Sequence, residues 1–216
     1  MSFYIQSGYK GKEVGSIMMN YDKSDLSYSA LSEYKEGQVP VGTVEFVEQI
    51  IGIKKPNYYP DFLSSSFYRK VYESNELPEK VSFVKPADRH KRFNGMILHK
   101  ADLSEWVEQE WRNGPYSISE IVFFEEEWRY YVANGKIVAA HWYLGKEIEI
   151  DPPKLNVAFP SSFCGAVDFG RLKTGEIALV ENNLPYACGW YGPFNDGKIY
   201  GEWLKEGFNY IKNKKT

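Results

Sequence analysis

Apolar residues along this chain recur at two spacings, and each predicts a different element. In GTVEFVEQIIG (42–52), Val44, Val47, Ile50 and Ile51 fall on one helical face, with Thr43 placed to cap the helix and Gly52 to end it. In DLSEWVEQEWRNGP (102–115), Asp102 and Glu105 match the cap and third positions of a capping box. Leu103, Trp106, Val107 and Trp111 make the apolar stripe, and Gly114-Pro115 closes it. A last helix is predicted over roughly 198–213, with Tyr200, Trp203, Leu204 and Ile211 inward. Alternating patterns predict strands elsewhere. VSFVKPA (81–87) sets Val81, Phe83 and Lys85 on one face and stops at Pro86. SISEIVFFEEEWRYYVANGKIVAAHWY (117–143) reads as a strand, a short connection and a hairpin about Asn134-Gly135. CGAVDFGRLKTGEIALVEN (164–182) reads as a second hairpin about Thr174-Gly175. Residues 1–80 look different: the polar stretches YDKSDLSYSALSEYKEG and KKPNYYPDFLSSS flank the first helix and suggest a small, irregular N-terminal lobe. The expected fold class is α+β with a mainly antiparallel sheet, divided into 1–80 and 81–216.

Strand registers bring charged groups together. With Thr174 and Gly175 as the central turn residues, Asp168 falls directly opposite Glu181, and Ile177, Leu179, Glu181 and Asn183 share a face. Like charges so placed destabilise a sheet unless a cation lies between them. Aspartate, glutamate and asparagine oxygens are the hard ligands that suit Mg²⁺. The plainer reading is a solvated strand end. In the other hairpin Glu127 and Arg129 share a face, and Arg129 falls opposite Ala140, leaving its guanidinium free to reach an anion. Lys85, on a strand ending in proline, is a second candidate cation. In the loop DRHKRFNG (88–95), Lys91 or Arg92 could cover phosphates, while a solvated basic turn accounts for Arg89 and Arg92.

Composition narrows the function. The chain has 216 residues, 43% hydrophobic, which suits a folded globular protein. A net charge of −3 supplies no general drive toward nucleic acid or acidic membranes. No apolar run spans a bilayer or forms a signal peptide, so a cytoplasmic protein is expected. Cys164 and Cys188 do not form a metal-ligand spacing, and His90, His99 and His141 stand apart, which argues against a zinc site.

Read in order, FVKPADRHKRFNG, SEIVFFEEEWRYYV, GAVDFG and ALVENN resemble the ATP-grasp superfamily. More narrowly, the likeness is to a clade of small phage and bacterial members named for its characteristic arginines and lysine. The resemblance spans roughly residues 80–192, and VPVGTVEFV and YYPDFL upstream resemble that clade's N-terminal lobe. It implies two lobes of mainly antiparallel sheet enclosing a nucleotide cleft, preceded by a short N-terminal lobe. It further implies ATP and Mg²⁺ as cofactors, with Asp168, Glu181 and Asn183 holding the metal. Lys85 would hold the inner phosphates and Lys91 would belong to the loop above them. Glu120, Ile121 and Val122 would form the adenine hinge, Glu127 would face the ribose, and Arg129 would meet the outer phosphate or the acceptor carboxylate. The loop ADRHKRFNGM is poorer in glycine than in the large ATP-grasp ligases. The Asp-Phe-Gly at 168–170 also occurs in protein kinases, but no H-R-D-type loop precedes it here. The implied activity is a carboxylate–amine ligase working through an acylphosphate on a small-molecule, peptide or protein-terminus acceptor, with Lys85 and Arg129 as its catalytic cations. A non-catalytic nucleotide-binding protein and an ATP-dependent phosphotransferase remain as alternatives, and a homodimer is left open.

Overall fold

The computed structural model of the protein describes residues 1–29, 33–99, 113–146 and 149–213. The helix expected from Asp102 lies outside them. At the N-terminus, β1 (Phe3–Gln6), β2 (Leu26–Ser29) and β3 (Val39–Val41) form a parallel sheet in the order β2-β1-β3, and α1 (Lys12–Asn20) joins the first two. This corrects the expectation of an irregular region. β3 is buried at every position and β1 at all but its last, so neither shows the two-residue alternation that marks a half-exposed strand. The next helix forms as read. In α2 (Val44–Ile51) the Phe46 N–H donates to Thr43 Oγ1 at 3.3 Å, and Gly52 stops the helix at φ 77°.

A second sheet holds β4 (Val71–Ser74), β5 (Ser82–Pro86), β6 (Met96–Leu98) and β7 (Tyr116–Ser119), antiparallel in the order β4-β7-β5-β6. Val84, Leu98, Tyr116 and Ile118 pack behind it with Leu77 and Phe93, so alternation sends Phe83 and Lys85 forward. β4 lies before residue 80 yet pairs with β7.

The third sheet, β8 (Phe124–Ala133), β9 (Lys136–Leu144), β10 (Gly165–Leu172) and β11 (Ile177–Asn183), is antiparallel in the order β11-β10-β8-β9. One face carries Trp128, Tyr130, Val132, Val167, Phe169 and Leu179 in a cluster with Leu63 and Phe163. The other sets Tyr131, Ala133 and Ala166 against Tyr200, Trp203, Leu204 and Phe208 of α3 (Gly197–Asn213), in the cluster that also takes Phe3, Ile5, Val39 and Val41. Trp203 and Trp128 are each almost wholly buried, and such side chains contribute about 1.5–3 kcal/mol apiece. The Trp203 indole also donates to Val132 O at 3.0 Å.

Bulges decide what the hairpins present. Asn134 (φ 49°) and Gly135 (φ 72°) make the expected two-residue turn. A bulge between Tyr131 and Val132 then shifts the pairing, and Arg129 faces His141 rather than Ala140. In the other hairpin the loop is Lys173-Thr174-Gly175, three residues rather than two. The Gly175 N–H donates to Leu172 O and the Leu172 N–H to Glu176 O, both at 2.9 Å, with Gly175 at φ 88°. That register alone would set Glu181 opposite Val167, in the apolar cluster. A bulge at Asp168/Phe169, with Val180 as the extra residue, restores the pairing of Asp168 with Glu181. The expected pairing therefore holds, but the expected shared face does not. Ile177 and Leu179 turn to the apolar cluster, whereas Glu181 and Asn183 lie on the face of Asp168 and Ala166, their register partners.

Candidate functional site

A cleft of about 570 Å³ opens between the second and third sheets. Phe83, Lys85, Met96 and Ile97 wall it on one side, and Glu127, Tyr143, Val180 and Glu181 on the other. The stretch from Glu120 to Phe123, which lies between β7 and β8, lines the end where the two sheets join. The Glu120 carboxylate accepts the Lys70 N–H at 3.0 Å, and the Glu120 N–H donates to Lys70 O at 3.2 Å.

At the inner end of the cleft the charges pair off. Arg129 makes a two-pronged contact with Asp168, Nε to Oδ1 at 2.8 Å and Nη2 to Oδ2 at 2.7 Å, and both residues are buried. Lys85 Nζ pairs with Glu181 Oε2 and sits over the Tyr58 ring, 4.8 Å from its centroid. Between the two ion pairs, Asn183 Nδ2 donates to Asp168 Oδ2 at 3.3 Å and to Glu181 Oε1 at 3.1 Å. Burial pushes the Glu181 carboxyl up, but Lys85 and then Asn183 outweigh it and hold the carboxyl at about 2. Burial likewise opposes charge on Lys85 and Arg129, and Glu181 and Asp168 respectively reverse that, raising both. Glu127 is raised by burial, with the Tyr143 hydroxyl, which donates to its Oε2, pulling the other way. Tyr143 stacks on Tyr191 at 4.8 Å, and the Arg129 guanidinium lies over both rings at 5.6 and 5.1 Å.

The model for an ATP-grasp domain family, family 2 of the clade named for its characteristic arginines and lysine, matches residues 63–197. The chain belongs to this family. Among solved structures, a D-alanine–D-alanine ligase from Bacillus anthracis shares the fold over the full length of both chains, with a TM-score of 0.56 and 14% identity. Two looser likenesses, each with a TM-score of 0.40 and 13% identity, are to the ATP-grasp ligase PsnB. One is complexed with a minimal precursor and covers 69% of this chain and 57% of that one. The other also holds Mg and ADP and covers 79% and 59%. The chain thus spans less than two thirds of the PsnB chains it matches. No curated protein matches the sequence.

Within this ATP-grasp frame most of the expected residues gather. Lys85, Glu120, Ile121, Val122, Glu127 and Glu181 line the cleft, and Arg129, Asp168 and Asn183 are bonded to one another just behind Glu181. Lys91 stands apart from the cleft wall, exposed and at φ 54°. Its neighbour His90 is buried and stacks on Tyr58 at 6.3 Å. Arg89 and Arg92 are not a solvated turn: Arg89 Nε donates to the buried Glu48 at 2.8 Å, and Arg92 pairs with Asp88 at 3.1 Å. Among the described residues no three His, Cys, Asp or Glu side chains stand together as a metal cluster. The donor set here is two carboxylates and an amide, which fits a hard cation that keeps several waters.

Two contributors were missed. Tyr143 reaches the cleft as the extra residue of a bulge opposite Glu127 and Trp128, which alternation does not reveal. Arg69 lines the cleft from just before β4, with its Nη1 buried and without a hydrogen-bond partner. A single arginine ahead of a four-residue strand carries no pattern that would single it out.

Proposed function

We propose that this chain is a Mg²⁺-ATP-dependent carboxylate–amine ligase working through an acylphosphate. The observation that carries the reading is the paired set Lys85–Glu181 and Arg129–Asp168, bridged by Asn183, at the inner end of a cleft that the Glu120–Val122 stretch closes at the other. Glu120, Ile121 and Val122 would receive adenine and Glu127 the ribose. Asp168, Glu181 and Asn183 would hold magnesium, whose chemistry when bound is to neutralise phosphate oxygens. Lys85 would move from Glu181 to the inner phosphates, and Arg129 would offer its planar fork to the outer phosphate or to the acceptor carboxylate. Lys91 would close over the phosphates only if its loop rearranged, since it stands outside the cleft.

In this reading an acceptor carboxylate oxygen attacks the terminal phosphorus as the bond to ADP breaks. An amine nitrogen then attacks the acyl carbon, inorganic phosphate leaves with its bridging oxygen, and the nitrogen gives up a proton. The chain's own residues contribute position and charge rather than a nucleophile. The division at residue 80 is part of the same proposal, with 1–80 helping to shape the acceptor site on a small molecule, a peptide or a protein terminus. The test is a screen of ADP release over amino acids and short peptides, with amide product identified by mass. Amide formed in step with ADP supports the reading. A phosphorylated product without amide, or ATP binding with no ADP released over the whole screen, overturns it.

A further inference from the structure

We propose that Arg69 is a positioning residue: it clamps the β11 bulge and so keeps Glu181 and Asn183 turned toward the cleft. The bulge is where β11 changes face. Leu179 ends the apolar side, Val180 is the extra residue, and Glu181 begins the charged side. A bulge interrupts its ladder locally and bends the strand, so its geometry depends on what holds the extra residue. Arg69 Nη2 donates to the Val180 carbonyl. The guanidinium is itself fixed, lying over the Tyr59 ring at 5.0 Å and the Phe124 ring at 5.7 Å. Its chain neighbour Lys70 is fastened through its backbone to Glu120, by bonds of 3.0 and 3.2 Å. The clamp therefore runs from the stretch that joins the two sheets, across the cleft, to the one carbonyl at which Glu181 is assigned its face. Slipping Glu181 by one residue would direct a carboxylate at Val167 and Phe169 in the apolar cluster, where an unpaired charge is too costly to bury. The bulge must form, and Arg69 sets how firmly it is held.

The effect on nucleotide binding rests on the function proposed above, but the clamp itself does not, and the experiment keeps the two apart. Arg69→Met keeps the apolar stem and removes every donor, and Arg69→Lys restores one donor and the charge. Hydrogen–deuterium exchange of the ligand-free proteins is read over 177–183 and, as an internal control, over α3. Arg69→Met is expected to speed exchange in β11 at least tenfold with α3 unchanged, and Arg69→Lys to return it to within about threefold of wild type. In ATP titrations at varied Mg²⁺, Arg69→Met should raise the Mg²⁺ needed for half-saturation by about tenfold. Unchanged β11 exchange in Arg69→Met overturns the clamp, even if ATP affinity falls. Equal acceleration in β11 and α3 overturns it as well, because Arg69 would then serve general stability. If the wild type binds no nucleotide, the proposed function fails, and the exchange comparison still decides the clamp.

Discussion

Asp168→Asn probes the buried charge arrangement most sharply. Asp168 is 1% exposed and Arg129 8%, and they share two hydrogen bonds of 2.8 and 2.7 Å. The substitution keeps the shape, removes the negative charge, and turns an NH₂ toward one of the guanidinium donors. Arg129 is then a buried cation whose carboxylate partner has gone. Breaking a buried pair from one side costs about 3–5 kcal/mol. For a chain of this size about 2–4 °C of melting temperature goes with each kcal/mol, so a fall of roughly 10 °C is expected. Replacing both members, Asp168→Leu with Arg129→Met, should recover most of that loss, because a well-packed apolar pair can match a buried ion pair. Thermal and urea unfolding of the wild type, the single variants and the double variant at pH 7 gives the full cycle. A loss below about 1 kcal/mol in Asp168→Asn, or a double variant no more stable than Asp168→Asn, would refute the reasoning.

Asn183→Ala removes no charge. It deletes the bonds of 3.3 and 3.1 Å to the two carboxylates, so it should cost only about 1–2 kcal/mol in urea unfolding while weakening Mg²⁺-dependent ATP binding at least tenfold by calorimetry. Glu181 is held at about 2 against an ordinary 4.5, so its contribution to stability is complete above about pH 4.5 and is lost as pH falls toward 2. Urea midpoints measured from pH 5 to 2.5 should fall in the wild type and flatten in Glu181→Gln. Arg129→Lys trades a two-pronged fork for a point charge and should lower turnover by more than tenfold while the protein still folds, as checked by circular dichroism. Trp203→Ala, which removes a 1%-exposed indole, should cost about 3–5 kcal/mol without changing the affinity for Mg²⁺-ATP.

Local chemistry was legible wherever it writes itself into adjacent residues. Thr43 and Gly52 bound α2, Asn134-Gly135 turns the first hairpin, and alternation sends Phe83 and Lys85 to one face, all visible in the sequence. Bulges were not legible, because an extra residue is indistinguishable from a regular one until its partner strand is in place. Asp168 opposite Glu181 shows the consequence: a three-residue loop was read as two, and the unseen bulge at Val180 cancelled the error. At Arg129 an unseen bulge did not cancel, and His141 replaced Ala140 as its neighbour. The parallel strands of the N-terminal sheet escaped because three or four nearly all-buried residues carry no period. Ionic partners escaped for another reason. Candidate cations can be picked out from sequence, but their pairing with Asp168, Glu181 and Glu48 depends on contacts between segments 39, 96 and 41 residues apart.

The central claim is that Asp168, Glu181 and Asn183 together make a magnesium-dependent nucleotide site at the inner end of the cleft. Its most direct test is titration calorimetry of ATP into the wild-type protein and Asn183→Ala, each with and without Mg²⁺. The account predicts one ATP per chain, bound tightly by the wild type only when Mg²⁺ is present, with most of that Mg²⁺-dependent gain lost in Asn183→Ala. Absence of ATP binding, or binding that ignores both Mg²⁺ and the substitution, would contradict it.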